Sequence, residues 1–270
     1  MRLATAFVLI PAVLVLTWME HWDWGFSILI SVFAAIGLYE YYAIVRARQI
    51  SPETIGGILA GTAITLSGHF NNPTLTNFML YGGSLLVSAL HIVRGQHSVA
   101  GLASSLFGVF YVGWLGAHIT LLHSEPEFGP ALVTVLFVAI VLNDSAAYLF
   151  GSLLGRHRLA PKVSPHKTWE GAVAGLVFAL LGLWGLHYAS AAWNVPILPG
   201  WSAPRYLHCG ATLSIVAQVG DLAESCLKRD AAVKDSGALF PGHGGVLDRC
   251  DGFLFAAPVL YYMFHFFAPY

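Results

Sequence analysis

The stretch between residues 220 and 251 carries side chains able to do chemistry on a polyanion. Four cations, Lys228, Arg229, Lys234 and Arg249, can neutralise several negative charges at once. Gly242, Gly244 and Gly245 flank His243, so backbone there can approach a bulky ligand closely. The carboxylates of Asp221, Asp248 and Asp251 stand where apolar segments end or begin. Hard oxygen ligands beside basic phosphate contacts are what a magnesium–nucleotide site requires, because magnesium is held by one or two carboxylates plus the substrate's own phosphates.

Helical spacing sharpens the pattern. If the apolar segment before Asp221 continues as a helix, Asp221, Glu224 and Ser225 share a face, and Lys228 lies four residues beyond Glu224. Asp248 and Asp251 are three residues apart at the start of the next apolar segment. A plainer account makes these two aspartates helix caps and Glu224–Lys228 an interfacial ion pair. The density of Lys-Arg, Lys-Asp, His-Gly-Gly and Asp-Arg within one loop favours function. Asp144, inside the apolar run 138–150, is a further candidate for a metal or catalytic role. A carboxylate within a membrane segment costs roughly 2.5–3.5 kcal/mol on insertion scales and is a functional hypothesis by default; the alternative is a helix–helix hydrogen bond.

A second basic loop runs from Gly155 to Gly171. Its Pro165 is expected to open a helix, which would gather Ser164, Lys167 and Thr168 at a helix N-terminus, a ready anion site. Attraction of this loop to anionic headgroups is the competing reading, and both hold together if the substrate is itself an anionic lipid. The other histidines show no HExxH or repeated ligand spacing. Three cysteines, with no CxxC pair, read as reduced and structural.

The elements that position these residues are membrane helices. Of the 270 residues, 57% are hydrophobic and 10% charged, against about 25% charged in a soluble domain. Apolar segments of spanning length are expected near 3–18, 25–45, 54–69, 75–93, 99–122, 129–151, 171–190, 206–222 and 252–268. The first could pass for a signal peptide but lacks a cleavage site, so it reads as a retained span. The third is short and glycine-rich. All Lys and Arg except Arg205 fall on one side of this arrangement, which makes that side cytoplasmic. The expected fold is therefore all-α, a polytopic transmembrane bundle of about nine spans with a cytoplasmic N-terminus.

Two motifs carry a family resemblance. One runs from Ser225-Cys-Leu-Lys-Arg229 through Lys234-Asp-Ser-Gly to His243-Gly-Gly-Val-Leu-Asp-Arg-Cys-Asp251. The other joins Asp144, Tyr148 and Gly151 to Ser164-Pro-His-Lys-Thr-Trp-Glu-Gly171. Together they resemble the phosphatidate cytidylyltransferase (CDP-diacylglycerol synthase) family. Cys250 departs from that pattern, where a branched aliphatic, Met, Phe or Thr is usual. His166 also departs, standing where a lysine is usual. The resemblance covers the C-terminal half closely and the first half only in hydrophobicity.

It implies a single membrane domain over 1–270, in which 129–270 supplies the catalytic helices and loops and 1–122 has no assigned role. The implied reaction is CTP plus phosphatidate giving CDP-diacylglycerol and pyrophosphate, in a bacterial-type inner membrane with the active site facing the cytoplasm. Asp144, Asp221 and Asp248 are the implied metal group, and Lys228, Arg229, Lys234 and Arg249 the phosphate contacts, with Ser164, Lys167 and Thr168 assisting. His243, Gly244 and Gly245 would shape the nucleotide pocket. Mg2+, a second monovalent cation such as K+, membrane lipid and a homodimer are implied as cofactors and partners; nucleic acid is not. The rivals are a CTP-dependent polyprenol or phytol kinase, which the His-Gly-Gly to Asp-Arg ending fits less completely, and an ion-coupled transporter, which would show inverted repeats that are not visible here.

Overall fold

The computed structural model describes residues 15–19, 23–95, 97–193, 201–237 and 244–267. Among these, helices dominate: α1 (Asp23–Ala47), α2 (Thr54–Ser67), α3 (Pro73–Val93), α4 (Val99–Gly108), α5 (Leu115–His123), α6 (Gly129–Leu154), α7 (Trp169–Trp193), α8 (Ala203–Asp230) and α9 (Leu247–Phe267). A π-helical segment, Val109–Trp114, joins α4 to α5, and one two-stranded antiparallel hairpin, β1 (Arg158–Ala160) with β2 (Ser164–Thr168), precedes α7. Among the described residues, five helical stretches are long and apolar enough to cross a bilayer: Trp24–Ala47, Pro73–Val93, Val99–His123, Gly129–Leu154 and Trp169–Ser190. Large apolar side chains such as Phe78, Tyr81, Leu85, Trp184 and Tyr188 point outward from two of them. Water would not tolerate so much exposed hydrocarbon, and lipid does. The molecule is an all-α membrane protein.

The chain forms two compact units. Met1–Glu125 with Leu227–Cys250 make the first, and Pro126–Cys226 with Asp251–Tyr270 the second. In the first unit the short helix α2 is the centre. With 14 residues it is about 21 Å long, below the bilayer core. Its small residues let neighbours close on it: a side chain at Gly113 would come within 2.6 Å of the Gly61 Cα. The Thr65 hydroxyl sits against Gly61 and Gly113 carbonyls at 3.1 and 3.0 Å, and Thr120 Oγ1 donates to the Thr65 carbonyl at 2.6 Å. Close backbone approach and interhelical hydrogen bonds are the forces available where lipid removes the hydrophobic drive between helices.

In the second unit α6 and α7 pack through glycines, with Gly171 against the Gly151 Cα and Gly175 against Asn143. The buried Asn143 then ties α8 to this pair. Its Oδ1 accepts from Ser214 Oγ at 2.6 Å and from Gln218 Nε2 at 3.0 Å.

Candidate functional site

In the second unit, small residues decide which carboxylates meet. Gly220 of α8 lies so close to α9 that an added Cβ would stand 2.7 Å from the Asp251 carbonyl oxygen. Gly252 in turn faces Ala217 and Ile140, so α6 reaches the same place. Next to these contacts are Asp221 on α8 and Asp251 on α9, and one turn along are Glu224 on α8 and Asp144 on α6. One carboxylate oxygen from each of Asp221, Glu224 and Asp251 lies within 4.8 Å of the others. Asp144 is within electrostatic reach of Asp251, and Asn143 Nδ2 donates to its Oδ1 at 2.9 Å. Glu224 is fully buried, Asp251 nearly so, and Asp221 half-exposed.

Like charges at that spacing repel by roughly 3 kcal/mol per pair at an effective dielectric of about 20, less where water screens Asp221. A cation relieves this. Lys167 supplies part of it, its Nζ lying 2.5 Å from Asp221 Oδ2. The donor set is all hard oxygen, which fits an oxygen-seeking divalent ion rather than a soft metal. The cluster can hold a metal ion.

The first unit holds Asp248 differently. Its Oδ1 meets Lys228 Nζ at 2.5 Å, with only 12% and 9% of the two side chains exposed. Its Oδ2 accepts from the backbone N–H groups of Ser236 and Gly245, each at 2.8 Å, and from Ser236 Oγ at 2.9 Å. Burial pushes this carboxyl up, but Lys228 and the two amides outweigh it and hold the group below the usual carboxylate range. Gly244 has φ +79°, a left-handed conformation that lets the chain wrap this aspartate; a Cβ there would also strike Oδ2. Arg229, Lys234 and Arg249 are exposed, and His243 lies outside the described residues.

The basic loop requires one correction. Pro165-His-Lys-Thr does not open a helix. Residues Ser164–Thr168 are strand β2, pairing with β1, and the helix starts at Trp169. Proline suits such a short two-stranded edge, where the missing N–H removes no interior ladder bond. Thr168 is nonetheless the helix cap: its Oγ1 accepts from the Gly171 N–H at 3.2 Å, and it is buried against Gly151 and Gly155. Ser164 is half-buried at the start of β2, His166 is exposed, and Lys167 turns to Asp221.

The sequence model of the cytidylyltransferase family matches residues 1–267. The chain belongs to this family. Similar curated proteins include a phosphatidate cytidylyltransferase of Synechocystis sp., 36% identical over 270 residues covering 88% of each chain. Another, of Brucella suis biovar 1, is 36% identical over 271 residues, covering 96% of this chain and 91% of its own. A third, of Bacillus subtilis, is 30% identical over 248 residues, covering 90% of both. The likeness is thus not confined to the C-terminal motifs; it runs through the N-terminal helices, which sequence reasoning had left without a role.

The sequence places Asp221 and Glu224 on one helical face, but the metal group expected from it, Asp144, Asp221 and Asp248, leaves out Glu224 and Asp251. The spacing was informative. What it lacked was the close approach of α8 to α9 through Ala217, Gly220 and Gly252, which brings Asp251 beside Asp221 and Glu224 in one acidic cluster, while Lys228 pairs with Asp248 instead.

Proposed function

We propose that this protein transfers the cytidylyl group of CTP to phosphatidate, giving CDP-diacylglycerol and pyrophosphate. The observation that carries the reading is the Asp221–Glu224–Asp251 cluster, set in a membrane protein that belongs to the cytidylyltransferase family along nearly its whole length. Relatives named phosphatidate cytidylyltransferase, matched over about nine-tenths of the chain, support the lipid as acceptor.

A phosphate oxygen of phosphatidate attacks the α-phosphorus of CTP. The new P–O bond forms as the bond from the α-phosphorus to the bridging oxygen breaks, and pyrophosphate leaves with that electron pair. The nucleophile is already ionised near neutral pH, so no strong general base is required. The chemical task is to bring two polyanions together and stabilise the spread negative charge. When bound, Mg2+ would supply charge neutralisation on the triphosphate; a monovalent cation such as K+ is a second expected ion. Asp144, Asp221 and Asp248 are the proposed metal-holding carboxylates, joined by Glu224 and Asp251. Lys228, Arg229, Lys234 and Arg249 are assigned to phosphates, with Ser164 and Lys167 assisting. Thr168 is assigned there too, alongside its capping bond. His243, Gly244 and Gly245 are assigned to the nucleotide pocket.

The proposed setting is a bacterial-type inner membrane, with nine spans, the N-terminus and the site cytoplasmic, and two copies forming a homodimer. The one-sided distribution of Lys and Arg supports this topology.

The test uses purified protein with labelled CTP, phosphatidate and Mg2+. Formation of CDP-lipid and pyrophosphate by wild type, lost in Asp221→Asn and Asp248→Asn, supports the reading. CDP and a phosphorylated prenol when prenol is supplied, with no CDP-lipid from phosphatidate, would replace it with a kinase.

A further inference from the structure

Glu40 lies in α1, inside an apolar segment running from Trp24 to Ala47, and is 4% exposed. A buried carboxylate in such a helix is expensive, so the partners it is kept for are informative. Every described hydrogen bond it makes goes to the segment that carries Asp248. Its Oε1 accepts from the Val246 N–H at 3.0 Å. Its Oε2 accepts from the Leu247 N–H at 2.9 Å and from Ser236 Oγ at 3.1 Å. Val246 and Leu247 stand at the start of α9, where helical N–H groups lack partners in their own helix. Glu40 therefore caps α9 from 206 and 207 residues away, with a negative charge at the positive end of the helix. Gly237 and Gly245 enclose the carboxylate, and a Cβ at either would strike it.

The connection continues to the charged pair. Ser236 Oγ lies between Glu40 Oε2 and Asp248 Oδ2, at 3.1 and 2.9 Å, so its single O–H is given to one or the other at a time, and it accepts from the Asp248 N–H at 3.3 Å. Asp248 in turn holds Lys228. The chain of contacts is Glu40, Ser236, Asp248, Lys228. It leads from a helix with no assigned chemistry to an aspartate and a lysine that the proposed reaction uses.

We propose that Glu40 is a positioning residue for cytidylyl transfer. Its carboxylate fixes the first turn of α9 and, through Ser236, the orientation of Asp248 and Lys228, so that these meet the nucleotide in one geometry. The proposal rests on the functional reading above and assigns Glu40 no contact with substrate.

The experiment compares full-length wild type, Glu40→Gln, Ser236→Ala and the double variant, purified in detergent. Folded fraction is followed by gel filtration and thermal unfolding. Glutamine keeps the shape of Glu40 but turns an NH2 towards one of the donors it must accept from. The expected result is a rise of about tenfold or more in KM for CTP at unchanged folded fraction, the equivalent of one hydrogen bond to a charged group. Because Glu40 and Ser236 act through one path, the double variant should be no worse than the worse single variant. Hydrogen exchange at the Val246 and Leu247 amides should quicken at least about tenfold in Glu40→Gln, by the same energy.

An unchanged KM for CTP, with Vmax falling only as folded protein is lost, would reduce Glu40 to a structural cap and overturn the proposal. So would multiplicative effects in the double variant. Wild type that forms no CDP-lipid would overturn the functional reading instead, and the exchange rates would still decide whether Glu40 holds this segment.

Discussion

Two acidic groups among the described residues are built on opposite terms. Around Asp248 and Glu40, each carboxylate oxygen faces an N–H, an O–H or an ammonium group. Around Asp221, Glu224 and Asp251, carboxylate oxygens face one another within 4.8 Å. An acid surrounded by donors has its charge largely answered by the protein and is fixed in one orientation. Acids crowded together leave charge for an added cation to answer. The same residue types thus differ in how firmly the protein orients them and in how much charge they leave unanswered.

The largest effects should come from the crowded group. Glu224→Gln or Asp251→Asn is expected to lower CDP-lipid formation about 10²–10³-fold, the scale of removing one electrostatic contact to a transition state. The same variants should lose the rise in unfolding temperature that Mg2+ gives wild type. Retention of both properties would break the contrast, leaving the cluster a packing feature.

Next comes the donor-rich group. Lys228→Met strips Asp248 of its cation while leaving its N–H and O–H donors in place. Breaking a buried pair of this kind costs about 3–5 kcal/mol, which denaturant unfolding in detergent would register. The Lys228→Met, Asp248→Asn double variant should recover part of that loss, because no charge is then left stranded. A double variant as unstable as the single would mean that Lys228 acts through other neighbours.

A smaller effect is expected at Thr168. Thr168→Val keeps the shape of the side chain but removes the bond from the Gly171 N–H. Stability should fall by about 1 kcal/mol, the usual worth of such a cap, with KM for both substrates within about threefold. A selective rise in either KM at unchanged stability would make its proposed phosphate contact the dominant role. The smallest effect belongs to Arg48→Ala. The Arg48–Asp230 pair spans 3.2 Å but leaves 52% and 69% of the side chains exposed, so unfolding should shift by less than about 1 kcal/mol.

Much of the site was legible because helices impose a period. Asp221, Glu224 and Lys228 could be set on one face by counting, and Asp144 drew notice as a carboxylate in an apolar run. The same rule applied to Glu40 would have singled it out, since it too interrupts a hydrophobic helix. The helix expected at Pro165 was misread for a local reason. Proline at a helix start and proline in a short edge strand look alike until the pairing of β1 with β2 is known.

What the sequence determined by itself was the class of molecule and the chemistry available to it. Composition and segment length require a lipid-embedded helical protein, and the charged motifs place it in the cytidylyltransferase family, because both depend on residue type and local spacing alone. Tertiary structure decided which acids meet and which are held apart by donors. Asp251 joins Asp221 and Glu224 because glycines let two backbones close together. Glu40 finds Ser236 across 196 residues of chain. Local periodicity fixes the face a side chain occupies. Only packing, which depends on the shapes of all the helices at once, selects what that face meets.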